Sequence, residues 1–299
     1  MRFANVGGRA ALVSPSGSFV DVAAATGGEI SADPMQALVA LDRLRDVQIP
    51  PDATELDGRE LRAPVPRPGK VLGAGINYFE HAREAGFDIP TEPLLFAKLP
   101  SSICGPSDEI VMPDGRFEVD WEAEVVVVVG RRGRHIAKQD AWSYVAGLTA
   151  GQDISDRAEQ FRSLRQFTMG KSFDTYAPIG PVVVTPDEFT NPEDIRVSCF
   201  INGENVQDGR TGDCIFTIPE LLCWASQICT LEPGDLIFTG TPSGVGYIRQ
   251  PPRFLRPDDI LETDIESIGR LENRCVAGPA YVQHTYDRLA CAAESAGDS

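Results

Sequence analysis

The 299-residue chain reads as an α+β protein, mostly β, with a small N-terminal α/β lobe. Three observations lead there. Five apolar runs, at residues 71–76, 121–129, 179–184, 196–201 and 235–238, have the length and β-branched character of strands. These runs do not alternate with helices of about 10 to 15 residues, as a doubly wound parallel sheet requires. Helical spacing is confined to 33–44, 141–145 and 218–229, which sets helices at the periphery of a β core.

Taken in order, residues 1–66 alternate short apolar stretches with small and polar residues. They include a helix over 33–44 with Pro34 in its first turn, where a missing N–H costs nothing. Ala63-Pro64-Val65-Pro66-Arg67-Pro68-Gly69 then interrupts regular structure, because proline cannot donate to a ladder. A boundary there gives a lobe over 1–66, a larger domain over 67–285 and a tail over 286–299, whose end is small and polar. Within the larger domain, Val125 through Val129 are apolar on both faces, the pattern of a strand buried on both sides.

The net charge of −17, from 44 acidic and 27 basic side chains, argues against binding nucleic acid or an anionic membrane surface. Any anionic substrate needs a local positive island. The seven cysteines lack metal-like spacing and their number is odd, which favours a reducing compartment. The first residues lack a signal-like apolar stretch, and no run approaches the ~20 apolar residues of a membrane span. A soluble, cytoplasmic protein is the expectation.

Glu122 and Glu124 flank Ala123 at the mouth of the valine run, and Asp153 follows in Gly151-Gln152-Asp153-Ile154-Ser155. On a strand, residues two apart share a face with Cα atoms roughly 6.6 Å apart. Two carboxylates so placed repel unless a cation lies between them. An acidic strand end also occurs simply as a solvated terminus. Oxygen donors without C-x-x-C or H-x-x-x-H favour magnesium or manganese, with calcium a further hard candidate. Three carboxylates leave about one unit of excess negative charge on a divalent ion, so a nearby cation is expected, and Arg157 and Lys171 follow downstream. His81 and Glu84 stand three apart, as neighbours on a helix do, either as a base with its orienting carboxylate or as a surface pair.

Other motifs fall short. Gly170-Lys171-Ser172 lacks the earlier glycine of a phosphate loop, where Arg165 stands. Gly73-x-Gly75 has Tyr78 in place of the third glycine of a dinucleotide fingerprint. Thr239 through Gly246 is a glycine-rich loop that either turns the chain or offers its N–H groups to an anion.

In order, G-I-N-Y-x-x-H-x-x-E at 75–84, L-F-x-K at 95–98, D-W-E-A-E at 120–124, Q-D-I-S-x-R-x-x-Q at 152–160, G-K-S-F-D at 170–174, P-I-G-P at 178–181, N-G-E at 202–204 and T-G-T-P-S-G-V-G at 239–246 resemble the fumarylacetoacetate hydrolase family. The resemblance implies a mixed β-sandwich roll, assembled as a homodimer. It implies magnesium or manganese on Glu122, Glu124 and Asp153, and His81 with Glu84 as a water-activating dyad on a lid. Arg157, Gln160 and Lys171 would contact the substrate or its developing anion, and Thr241 would line the site. Gln152 replaces a usual asparagine, and Asp156 adds a negative charge near the site. Lys98 matches a recurrent family lysine, with a surface role equally open. Arg249, Arg253 and Arg256 suggest a surface or dimer contact ahead of carboxylate recognition.

The activity so implied is hydrolysis of a carbon–carbon bond in a small anionic 1,3-dicarbonyl 2-oxo acid, such as an acylpyruvate of aromatic catabolism. The 2-oxo carboxylate would chelate the ion, His81 would deprotonate the attacking water, and Lys171 would stabilise the departing enolate. The alternatives on the same site are decarboxylation of an oxaloacetate-type acid and isomerisation of a 2-hydroxymuconate-type compound, with a non-catalytic binding protein kept as a different class.

Overall fold

The computed structural model describes residues 1–162 and 166–281, so the expected tail over 286–299 and Cys291 lie outside the described residues. Among the described residues two large sheets form the architecture, with a two-stranded ladder of Val119–Asp120 and Ser155–Asp156 beside them. In the larger, Ala123–Val129 pairs antiparallel with Val145–Gln152 on one side and with Leu236–Phe238 on the other. Leu236–Phe238 runs parallel to Val71–Gly75, which pairs antiparallel with Leu94–Lys98 at the sheet's end. On the opposite side, Val145–Gln152 is followed by Ala177–Val184 and then by the N-terminal strands Arg2–Val6 and Arg9–Val13. A five-stranded sheet runs in the order Glu204–Arg210, Arg196–Ile201, Ile260–Ile265, Gly269–Ala280 and Ile110–Asp114.

The five valines show how the layers stack. Val125, Val127 and Val129 point into a core shared with Val197, Leu261 and Leu271 of the smaller sheet. Val126 and Val128 point the other way, into a core shared with Leu38, Leu41 and Leu44 of the N-terminal helices. The period-2 alternation of a strand thus splits one apolar run between two cores, and the result is a mixed β-sandwich with helices against its outer face. Leu148, fully buried in the first core, tests that packing. Leu148→Ala is expected to cost about 2–5 kcal/mol in urea unfolding, and a loss below about 1 kcal/mol would speak against a tightly packed sandwich.

Several elements differ from the sequence expectation. The helix expected over 33–44 is two pieces, Pro34–Val39 and Leu41–Leu44. Asp33 caps the first by accepting the Met35 N–H. At Ala40 (φ −103°, ψ 15°) the chain leaves helical geometry, and its N–H bonds Ala37 three residues back. The helical spacing at 141–145 falls on a 3-10 helix, Lys138–Tyr144, and on Val145, which opens the next strand. The helix at 218 runs Ile218–Ile228, entered through a capping box between Thr217 and Glu220. The strand expected over 121–129 begins only at Ala123. Glu122 is drawn out of the ladder because its N–H donates to the Gln152 side-chain oxygen at 2.9 Å, and its carbonyl accepts the Asp153 N–H. Glu122 and Glu124 therefore do not share one regular strand.

Candidate metal centre and substrate cavity

Despite that break, the carboxylates of Glu122, Glu124 and Asp153 converge, with one oxygen from each within 4.8 Å of the others and all three residues buried. Asp153 is brought there by the end of Val145–Gln152, which lies beside the start of the valine strand in the register Ala123↔Gln152. Three buried carboxylates with no thiol or imidazole in the group form an oxygen cage suited to a hard divalent cation. Burial, aided by the charges of Asp153 and Glu122, pushes the Glu124 carboxyl well above its ordinary range. Burial pushes Glu122 up too, but Lys171 and Arg157 more than offset it and hold that carboxylate at about 2. The trio therefore carries an acid that ionises readily only when further positive charge arrives.

The expected balancing cations are present. The Lys171 ammonium donates to Glu122 Oε2 at 2.7 Å, Asp153 Oδ2 at 2.6 Å and Ser155 Oγ at 2.8 Å. Burial lowers its proton affinity, yet Asp153 and Glu122 raise it by more. Arg157 donates to Asp120 Oδ2 at 2.9 Å, Glu122 Oε1 at 2.8 Å and Gln160 Oε1 at 2.8 Å. Lys98 has no surface role: it is 1% exposed, and its ammonium donates to Asp153 Oδ1 at 2.7 Å and to the Lys171 and Ile154 carbonyls. Three donors meet three acceptors.

The glycine-rich loop after Leu236–Phe238 holds carboxyl groups, and they are the protein's own. The Gly240 N–H donates to Glu124 Oε2 at 2.6 Å, the Gly244 N–H to both Glu84 oxygens at 3.0 and 3.2 Å, and the Gly246 and Tyr247 N–H groups to Asp120 at 2.6 and 3.1 Å. Gly240 has φ +96°, and a Cβ there would meet Asn77 Cβ at 2.7 Å, so only glycine fits. Thr241 faces the cavity, but its hydroxyl is already used, donating to the Ala123 carbonyl and accepting from Gln207.

His81 and Glu84 lie on the short helix Phe79–Glu84, reached through Ile76 at φ +53°. A β-branched residue in that region is strained. The Asn77 side chain fixes the turn by donating to the Phe216 and Thr239 carbonyls and accepting the Phe216 N–H. His81 is 7% exposed, and its Nδ1 has no hydrogen-bond partner; Glu84 Oε2 stands 3.6 Å away, beyond hydrogen-bond length. Burial would raise Glu84, but His81 and the Gly244 N–H lower it overall.

His81, Glu122, Arg157, Gln160, Lys171 and Thr241 all border one cavity of about 50 Å³, so the candidate residues from distant segments meet at one place. Its apolar wall, which includes Phe87, Phe96, Phe161 and Phe167, was not singled out from the sequence, nor were Asp120 and Tyr247. Asp120 carried one signal, its place in D-W-E-A-E; the aromatics carried none. Asp156 adds no free charge, because Arg116 pairs with both its oxygens at 2.6 and 2.5 Å and it caps the Arg157–Gln160 helix. Arg249 braces the glycine-rich loop through the Gly244 and Val206 carbonyls, while Arg253 pairs with Glu204 and Arg256 reaches the Phe117 carbonyl.

A family model described as fumarylacetoacetate (FAA) hydrolase C-terminal matches residues 70–276. The chain belongs to the fumarylacetoacetate hydrolase family. As a member of that family it is an enzyme. Oxaloacetate tautomerase FAHD2A, mitochondrial, of Homo sapiens is 46% identical over 215 residues, covering 72% of this chain and 68% of that protein. The crystal structure of maleylpyruvate hydrolase from Sphingobium sp. SYK-6, in complex with manganese(II) and pyruvate, is 27% identical with a TM-score of 0.78, covering 93% of this chain and 100% of that one. The 5-carboxymethyl-2-hydroxymuconate delta-isomerase of Mycobacterium smegmatis is 28% identical with a TM-score of 0.74, again covering 93% and 100%. The cytoplasmic expectation is corrected by the human relative and its rat counterpart, both named as mitochondrial. That expectation rested on cysteines that are indeed free where described, but free thiols report redox state and not address.

Proposed function

We propose that this family member is a divalent-cation-dependent isomerase that interconverts the keto and enol forms of a small 2-oxo dicarboxylic acid of the oxaloacetate kind. The observation that carries this reading is the buried carboxylate trio beside a small cavity that also holds an imidazole with a free nitrogen. The human relative named as an oxaloacetate tautomerase supports the substrate class. Isomerisation ranks ahead of carbon–carbon hydrolysis because it needs no attacking water.

Glu122, Glu124 and Asp153 would hold magnesium or manganese. An ion held there would supply positive charge next to the 2-oxo oxygen of the substrate. His81 moves the proton at carbon 3, and the Glu84 carboxylate, 3.6 Å from its Nδ1, favours the protonated ring. Lys171, bonded to Glu122, Asp153 and Ser155, adds its positive charge to the site where that oxygen would lie, and Lys98 keeps Asp153 in place. Phe87 and Phe96 give the cavity an apolar wall. In the ketonising direction the enol O–H proton leaves and carbon 3 gains one, so nothing is consumed.

His81→Ala is expected to keep manganese binding and to lose about 10²- to 10⁴-fold in turnover, read by calorimetry and by the ultraviolet absorbance of enol-oxaloacetate. Normal turnover in that variant would remove His81 from the mechanism. The reading as a whole is tested by the same absorbance assay with and without a chelator. Ketonisation no faster than in buffer, with manganese supplied, would sink it.

Hydrolysis of an acylpyruvate is the second reading, favoured by the maleylpyruvate hydrolase neighbour and by the His81–Glu84 pair, which a small rotation would close into a water-activating dyad. Oxygen-18 from water entering the acid product marks hydrolysis. Release of carbon dioxide marks decarboxylation.

A further inference from the structure

The cavity contains a residue that neither the motifs nor the mechanism above uses. Tyr247 borders it, half-buried, with its ring stacked on the Arg157 guanidinium at 4.4 Å and against Phe161 at 5.7 Å. Its backbone N–H donates to Asp120 Oδ2, the oxygen that also accepts from Arg157. The ring is thus fixed from two sides. Its hydroxyl has no partner among the described residues, and burial raises the phenol's pKa, so it is a proton donor at neutral pH.

The charged groups beside it are already engaged. Lys171 gives its three protons to Glu122, Asp153 and Ser155, and each nitrogen of Arg157 is bonded to Asp120, Glu122 or Gln160. Gln160 turns its amide oxygen to Arg157, which leaves its NH₂ without a partner among the described residues. Two neutral donors on one wall, a phenol and an amide, suit an acceptor oxygen at the end of a substrate remote from its 2-oxo acid group.

We propose that Tyr247, assisted by Gln160, is the specificity-determining residue for that remote end, donating its hydroxyl hydrogen to a carboxylate or carbonyl oxygen of the substrate. This rests on the proposed binding of a 2-oxo acid at the carboxylate trio. A substrate that ends in a methyl group forgoes the contact. One that ends in a carboxylate gains it.

The test is Tyr247→Phe, which keeps the ring, its stack on Arg157 and its backbone bond to Asp120. With manganese supplied, the variant should show a KM for oxaloacetate raised about tenfold, the loss of one hydrogen bond to a charged group, with kcat within about twofold. Its affinity for pyruvate, which has no remote carboxylate, should be unchanged by calorimetry. An unchanged oxaloacetate KM, or pyruvate binding weakened to the same degree, would overturn the assignment. A wild-type protein that neither binds pyruvate nor ketonises oxaloacetate would instead overturn the proposed function itself, and the assignment with it.

Discussion

Glu124→Ala is expected to abolish manganese binding and to lower kcat/KM by about 10³-fold or more, the scale of several kcal/mol of lost charge stabilisation at about 1.4 kcal/mol per tenfold. Glu124 sits 1% exposed between Glu122 and Asp153 and bonds the Gly240 N–H. Removing it takes away a carboxyl group that the ion would need and strands that N–H, at about 1–3 kcal/mol. Glu124→Gln separates the two effects: its amide oxygen still accepts from Gly240, whereas the charge is gone. Both variants should fail to take up the ion in calorimetry, and only the alanine variant should lose appreciable stability. Wild-type manganese affinity in either one would take Glu124 out of the site.

Lys98→Met is expected to be the more damaging change to the fold, at about 3–5 kcal/mol in urea unfolding. Methionine matches the length of the lysine stem and fills the same space. It leaves Asp153 Oδ1 and two buried carbonyls without their donor. Manganese should restore part of the loss, since an ion on Asp153 supplies the missing positive charge and binds only the folded chain. A cost below about 1 kcal/mol, or no recovery with the ion, would show that Lys98 does not neutralise Asp153.

Much of this site was legible in the residues. The five valines announced a strand buried on both sides, and the structure divides them between two cores. The acid trio was read as convergent, and it converges, although Glu122 stands outside the strand that was to carry it. What stayed hidden depends on neighbours remote in the chain. Lys98 ends a strand at the edge of the sheet, where sequence suggests solvent; only Asp153, 55 positions later, turns it inward. Asp120 looks like one more acid in D-W-E-A-E, and its two loop N–H partners, Gly246 and Tyr247, appear only once the loop after Phe238 folds over it, where Arg157 joins them. Gly170 stands in a segment whose spacing rules out a phosphate loop. The reason for the glycine is steric, since a Cβ there would meet the Gln160 backbone nitrogen at 2.5 Å.

The pairing of Arg2–Val6 with Ala177–Val184 matters to anyone preparing a shorter protein. A fragment begun after the proline-rich stretch would retain every candidate site residue and still lose the strand beside Val183 and Val184, with Phe3 and Leu38 stripped from the second core. Bared backbone along such a flank invites pairing between molecules, so the truncated product should precipitate when concentrated even though its chemistry is complete.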